Sequence, residues 1–131
     1  MKRLTLLLLL AVVGCGVARF RQQSIDIAGS LRDQSTALMA QATEPFSDHS
    51  DSVAALRARL SAQLVIEDAR EDNSESATQW RLLTDPRGAL LGGFLSRWEA
   101  QGTLGQFFID AARTQVVAAF RIIIETERAK R

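Results

Sequence analysis

The last third of the chain sets the tightest limit on the fold. Phe107, Phe108, Ala111, Ala112, Val116, Phe120, Ile123 and Ile124 recur three and four residues apart, a spacing that lines one face of an α-helix, whereas a strand would repeat every second residue. Thr103 and Gln106 stand just before this stripe, in the pattern where each side chain satisfies an end amide of the other. Gly102 precedes them and suits the left-handed backbone that closes a helix. A second stripe, Leu91, Phe94, Leu95 and Trp98, leads up to that glycine. The Gly102-Thr103 turn therefore predicts an antiparallel helical hairpin. Asp85-Pro86 offers a start for its first arm, which runs to about Gln101, because Asp accepts end amides and Pro is preset for the first helical position.

Upstream, the spacing of Ile27, Leu31, Leu38 and Ala42 predicts a helix that ends before Pro45. Ser47, Asp48, Ser50, Asp51 and Ser52 are capping residues ahead of Val53, Leu56, Leu60 and Leu64, a second helix ending near Asp72. Residues 76–83 read as a short helix stopped before Pro86. Ile122-Ile123-Ile124 favours a strand in isolation, but its helical surroundings should prevail. The expected fold is all-α, a small bundle of about four to five helices ending in the hairpin. With 47% hydrophobic and 24% charged residues, the composition is that of a folded protein. Short connections and the lack of an internal repeat predict one helical domain over residues 25–131.

The first residues follow a different logic. Met1-Lys2-Arg3 is positively charged, and Leu4 to Val13 is apolar except for Thr5, the layout of an export signal. The run is shorter than the roughly 20 residues that span a bilayer. It closes in Val12-Val13-Gly14-Cys15, which resembles the lipobox of bacterial lipoproteins. The resemblance covers only this targeting segment. It implies cleavage between Gly14 and Cys15, a diacylglyceryl thioether on Cys15 and an acylated new amino terminus. Residues 1–14 are then the signal peptide, and residues 15–24 a lipidated tether. Gly16, where an Asp would favour retention at the inner membrane, leans toward the outer membrane. Two other readings stay open: ordinary cleavage after Gly16-Val17-Ala18, or an uncleaved membrane helix over residues 4–20 that holds an accessory subunit in an integral-membrane complex.

Chemistry-bearing residues are few. There is no Tyr, one Cys and one His, so the usual catalytic constellations are missing and neither an enzyme, a cofactor nor a metal site is expected. A lone cysteine cannot form an intrachain disulfide. His49 reads as a capping or loop residue. Near neutrality argues against nucleic-acid binding. Residues 67–75 place acids four apart on a helix and read as a solvated helix end, with a divalent cation as the alternative. Arg121, Arg128, Lys130 and Arg131 complete a helix dipole or meet anionic headgroups or an acidic partner.

Gly88 and Gly92 lie inside the expected fourth helix, where each glycine costs about 1 kcal/mol relative to Ala. Close packing against the chain's own last helix would offset that. The alternative is a partner surface shared with Phe94 and Trp98. Trp80 and Trp98 are expected as core anchors. A protein partner or self-association would cover whatever the bundle leaves bare of Leu91, Phe94, Phe107, Phe108, Val116, Phe120 and Ile123. The resemblance and the residue inventory together imply a lipoprotein anchored through Cys15 and facing the periplasm, serving the cell envelope by interaction or structure.

Overall fold

The computed structural model describes residues 16–131. Five α-helices follow one another: α1 (Gln22–Met39), α2 (Ser50–Ala69), α3 (Ser74–Thr84), α4 (Leu91–Gln101) and α5 (Gln106–Arg128). A single 3-10 turn, Phe46–Asp48, lies between α1 and α2. There is no strand among the described residues, and the chain is an all-α bundle. Gly14 and Cys15 lie outside the described residues.

The stripes read from spacing face the core. Leu31 and Leu38 of α1, Val53, Leu56 and Leu60 of α2, and Val116, Phe120 and Ile123 of α5 are buried together. Trp80 and Trp98 are almost fully enclosed, with Trp80 edge-on to Phe120 at a 6.1 Å centroid separation. Burying a large aromatic or aliphatic side chain contributes about 1.5–3 kcal/mol, so these rows account for the association of the helices.

Contacts fix the helix directions. Ser24 meets Glu67 while Ser30 meets Arg59, so α1 and α2 run antiparallel. Arg21 meets Glu127, and Ile25 and Arg32 share a cleft with Ile124 and Arg128, so α5 runs back along α1. Ser76 pairs with Lys130 and Gln79 with Thr126, which sets α3 against α5 in the same sense. One end of the bundle therefore gathers the starts of α1 and α3 with the ends of α2 and α5. The opposite end gathers the α1–α2 loop, α4 and the start of α5.

That second end is closed by backbone bonds from Phe46 N–H to the Gly102 carbonyl (2.7 Å) and from Leu104 N–H to the Ala42 carbonyl (2.8 Å). Gly102 has φ 82°, the left-handed region in which a side chain is strained. The turn it makes returns Phe108 onto Phe94, stacked at 6.0 Å. The hairpin is only part of the packing of α5, which lies chiefly along α1 and α3.

Several boundaries differ from the sequence expectation. The fourth helix begins at Leu91 rather than Pro86. The Asp85 carboxylate accepts the Arg87 amide at 2.9 Å and so closes a turn over residues 85–90 instead of capping a helix. Gly88 sits in that turn. A Cβ on Gly93 would collide with the Gly88 carbonyl, and one on Gly92 would fall 2.5 Å from the Asp85 carbonyl. The glycines thus admit the turn and the end of α3, not the last helix. The Thr103–Gln106 capping box does not form; Gln106 donates to Asp110 instead, at 2.7 Å. The folded body also begins before residue 25. Ser24 is buried within α1, and Ala18 is already packed, with its amide donating to the Asp72 carbonyl at 3.1 Å.

Candidate functional site

The end of the bundle where the chain enters encloses a group of charges that the composition does not reveal. The last turns of α2 supply Gln63 and Glu67, and the residue that caps the helix is Arg70. The α2–α3 turn and the start of α3 supply Asn73 and Ser76, α1 supplies Ser24, the end of α5 supplies Glu127, and the turn after it supplies Lys130. The charged side chains are withdrawn from water, with only 1% of Glu67, 4% of Glu127, 9% of Arg70 and 5% of Lys130 exposed.

Such burial is tolerable only when charges pair and every lone pair and proton is used. Glu67 Oε1 accepts from the Ser24 hydroxyl (2.8 Å) and the Gln63 amide (2.9 Å), while Oε2 accepts from Arg70 Nη1 and Asn73 Nδ2, both at 2.8 Å. Glu127 Oε1 accepts from the Arg21 amide (2.8 Å) and Arg70 Nη2 (2.9 Å), and Oε2 from Arg70 Nη1 (3.2 Å) and Lys130 Nζ (2.6 Å). Lys130 gives its remaining protons to Asn73 Oδ1 at 2.5 Å and Ser76 Oγ at 2.8 Å. A carboxylate accepts about four hydrogen bonds and an ammonium donates three, so both carboxylates and Lys130 are saturated. Two acids and two bases make the group neutral.

Its electrostatics follow. Burial pushes the Glu127 carboxyl up, but hydrogen bonds from Arg70, Lys130 and the Arg21 amide, with the Lys130 charge, hold it below its ordinary value. Burial works against the Arg70 guanidinium too, yet its bond to Glu127 and the charge of Glu67 keep it above its usual value. Both groups are held in their charged forms.

The cluster also grips the incoming chain. Arg70 Nη2 donates to the Arg19 carbonyl at 2.6 Å, and Arg21 and Ala18 are tied as described above. Asp72, whose carbonyl receives Ala18, has φ 55°, a left-handed conformation that Asp tolerates better than most side chains. A Cβ on Gly16 would strike the Asp72 carboxylate, so the chain lies against this turn from its first described residue. Beside it runs an open groove of about 830 Å³ between α1 and α2, lined by Val17, Ile27, Gln63 and Ile66.

The residues singled out by sequence divide between the two ends. Residues 67–75 are not a simple solvated helix end: Glu67 and Asn73 are interior, while Asp68, Glu71, Asp72 and Glu75 face water. All four acceptor positions of Glu67 are taken by protein donors, which leaves none for a cation. Among the described residues no group of three or more His, Cys, Asp or Glu is placed to hold a metal. Lys130 is buried rather than offered to a partner, and Arg131 stacks at 4.3 Å over Phe20.

At the far end, Trp98 donates to the Glu44 carbonyl at 3.0 Å and packs edge-on against Phe46. His49 occupies the loop beside it, its Nε2 2.5 Å from Glu44 Oε2. Phe94 and Trp98 are core residues, so neither presents a surface to a partner. Of the apolar side chains that awaited a cover, the bundle buries Leu91, Phe94, Val116, Phe120 and Ile123 and half-buries Phe108. Phe107 alone stays open, at 91% exposure.

No helix among the described residues is long and apolar enough to cross a membrane. Comparison of the chain with protein-family models, with curated proteins and with solved structures finds no match to any of them.

Proposed function

We propose that the chain is a bacterial lipoprotein, anchored through Cys15 on the periplasmic side of the envelope, which serves as an interaction or structural component and performs no chemistry of its own. The observation that carries this reading is the sequence Val12-Val13-Gly14-Cys15 at the end of a short apolar run behind Lys2-Arg3. One acyl chain gives only marginal binding, whereas the several chains of a mature lipoprotein terminus make a durable anchor. The interior polar groups agree with a structural role. The acids and bases with the least exposure are saturated by one another and by neighbouring amides and hydroxyls, so none is poised toward a substrate. Gly16 after the cysteine favours the outer membrane as destination. A protein partner or a second copy of the chain would engage Phe107, the most exposed large apolar side chain among the described residues.

The test is the intact mass of the full chain made in a bacterial host and extracted in detergent, for wild type and Cys15→Ser. The proposal expects a wild-type mass that lacks residues 1–14 and carries lipid, with both changes lost in the variant. A full-length, unmodified wild-type mass refutes it and favours a membrane helix over residues 4–20.

A further inference from the structure

We propose that the bundle stands on the membrane by the end where the chain enters, with Arg19, Arg21, Arg128 and Arg131 against anionic lipid headgroups. The inference rests on the lipoprotein reading and adds an orientation to it. A flexible tether would let a lipoprotein tumble clear of the bilayer. Here the fold holds the chain from Gly16 onward, with Gly16 and Ala18 against Asp72 and the Arg19 and Arg21 backbones bonded to the buried ionic group. One residue extends at most about 3.6 Å, so an acylated Cys15 leaves almost no slack between the lipid and the folded body.

The side chains at that end suit a headgroup layer. Arg19, Arg21, Arg128 and Arg131 are exposed and form no ion pair among the described residues. Each basic residue close to an anionic surface strengthens association roughly fivefold. Val17, 68% exposed, lines one groove with Arg19 and Arg21, as an interfacial apolar contact requires. Glu71 and Asp72 on the α2–α3 turn, Glu75 in the first turn of α3 and Glu125 near the end of α5 share this end, so the headgroup contact is made locally by the arginines and not by a net positive end. The α5 helix, of 23 residues, is about 35 Å long, and its first residues then point away from the bilayer.

Acylation converts the one native thiol to a thioether, so a single added cysteine can carry a fluorophore. Mature lipidated protein labelled at Ala129→Cys or at Thr103→Cys would be reconstituted into phosphatidylcholine vesicles, with and without phosphatidylglycerol, that bear a headgroup quencher. The expected result is strong quenching of the Ala129 label, deepened by phosphatidylglycerol, and none of the Thr103 label. Replacing Arg19, Arg21, Arg128 and Arg131 by Gln should remove the phosphatidylglycerol dependence. A long Gly-Ser insertion between Cys15 and Gly16 should remove the difference between the two labels. Equal quenching of both labels on protein whose mass shows the lipid overturns the orientation and leaves the anchor standing. Protein whose mass shows no lipid overturns both.

Discussion

Replacing Glu127 by Gln tests whether the buried charges hold the bundle or merely fit inside it. The carboxylate is 4% exposed and accepts four hydrogen bonds, two from Arg70 and one each from Lys130 and the Arg21 amide. Glutamine keeps the shape but places an amide donor against donors, and Glu67 is left as the only counter-charge for Arg70 and Lys130. Removing one partner of a buried ion pair costs about 3–5 kcal/mol. With a urea dependence of roughly 1–3 kcal/mol per molar, the unfolding midpoint should fall by at least about 1 M. A domain of this size has about 5–15 kcal/mol in all, so the variant should fold with a small margin. Adding Lys130→Met restores neutrality, and the double variant should be less destabilised than the two singles summed, by roughly 0.5–3 kcal/mol. A loss under about 1 kcal/mol for Glu127→Gln, the range of an exposed pair, would refute the reasoning. So would strict additivity with Lys130→Met.

The same carboxylate sets a pH dependence. Its folded value lies below the ordinary 4.5, so its contribution is complete above about pH 4.5 and is lost as the pH falls through the folded value. Urea titrations from pH 7 downward should show a constant gap between wild type and Glu127→Gln that closes only below that point. The glycines should separate by their surroundings. Gly93→Ala drives a methyl into the Gly88 carbonyl and should lower stability by about 1–3 kcal/mol, whereas Gly29→Ala meets nothing closer than Arg32 Nη2 at 3.8 Å and should raise it by about 0.5–1 kcal/mol through helix propensity. Thermal melts of the two variants decide this.

The helices were legible because periodicity is local: Val53, Leu56 and Leu60 lie one above another whatever else the chain does. Where α4 begins was not, since Asp85 caps an amide equally well in a turn or a helix, and the choice depends on Gly88 meeting Gly93. The ionic group escaped notice because Glu67 and Arg70 are of the same types as the exposed Asp68 and Glu71 beside them. A signal did exist. Gln63, Glu67 and Arg70 continue the row 53, 56, 60 at spacings of three and four, and Glu127 and Lys130 continue the row 116, 120, 123 in the same way. Polar residues that keep the register of an apolar stripe are bound for the interior, and two such rows, each carrying one acid and one base to the same end of a bundle, can neutralise each other.

The two ends of the molecule are closed by different chemistry, and the difference bears on what each can do. Around Trp98 the contacts are aromatic packing with hydrogen bonds to backbone carbonyls and an exposed Glu44 carboxylate, so a small displacement strands no buried charge. Around Arg70 they are charge-assisted and saturated, and a displaced partner would strand a charge without water. An end built in this second way holds residues 16–21 in one place relative to α1, α2, α3 and α5. A chain that needed only a stable core could have filled those positions with apolar side chains at no loss. The charged group instead fixes where the N-terminal segment leaves the bundle, which in the proposed lipoprotein would hold Phe107 and the α1–α2 loop at the opposite end in a constant orientation.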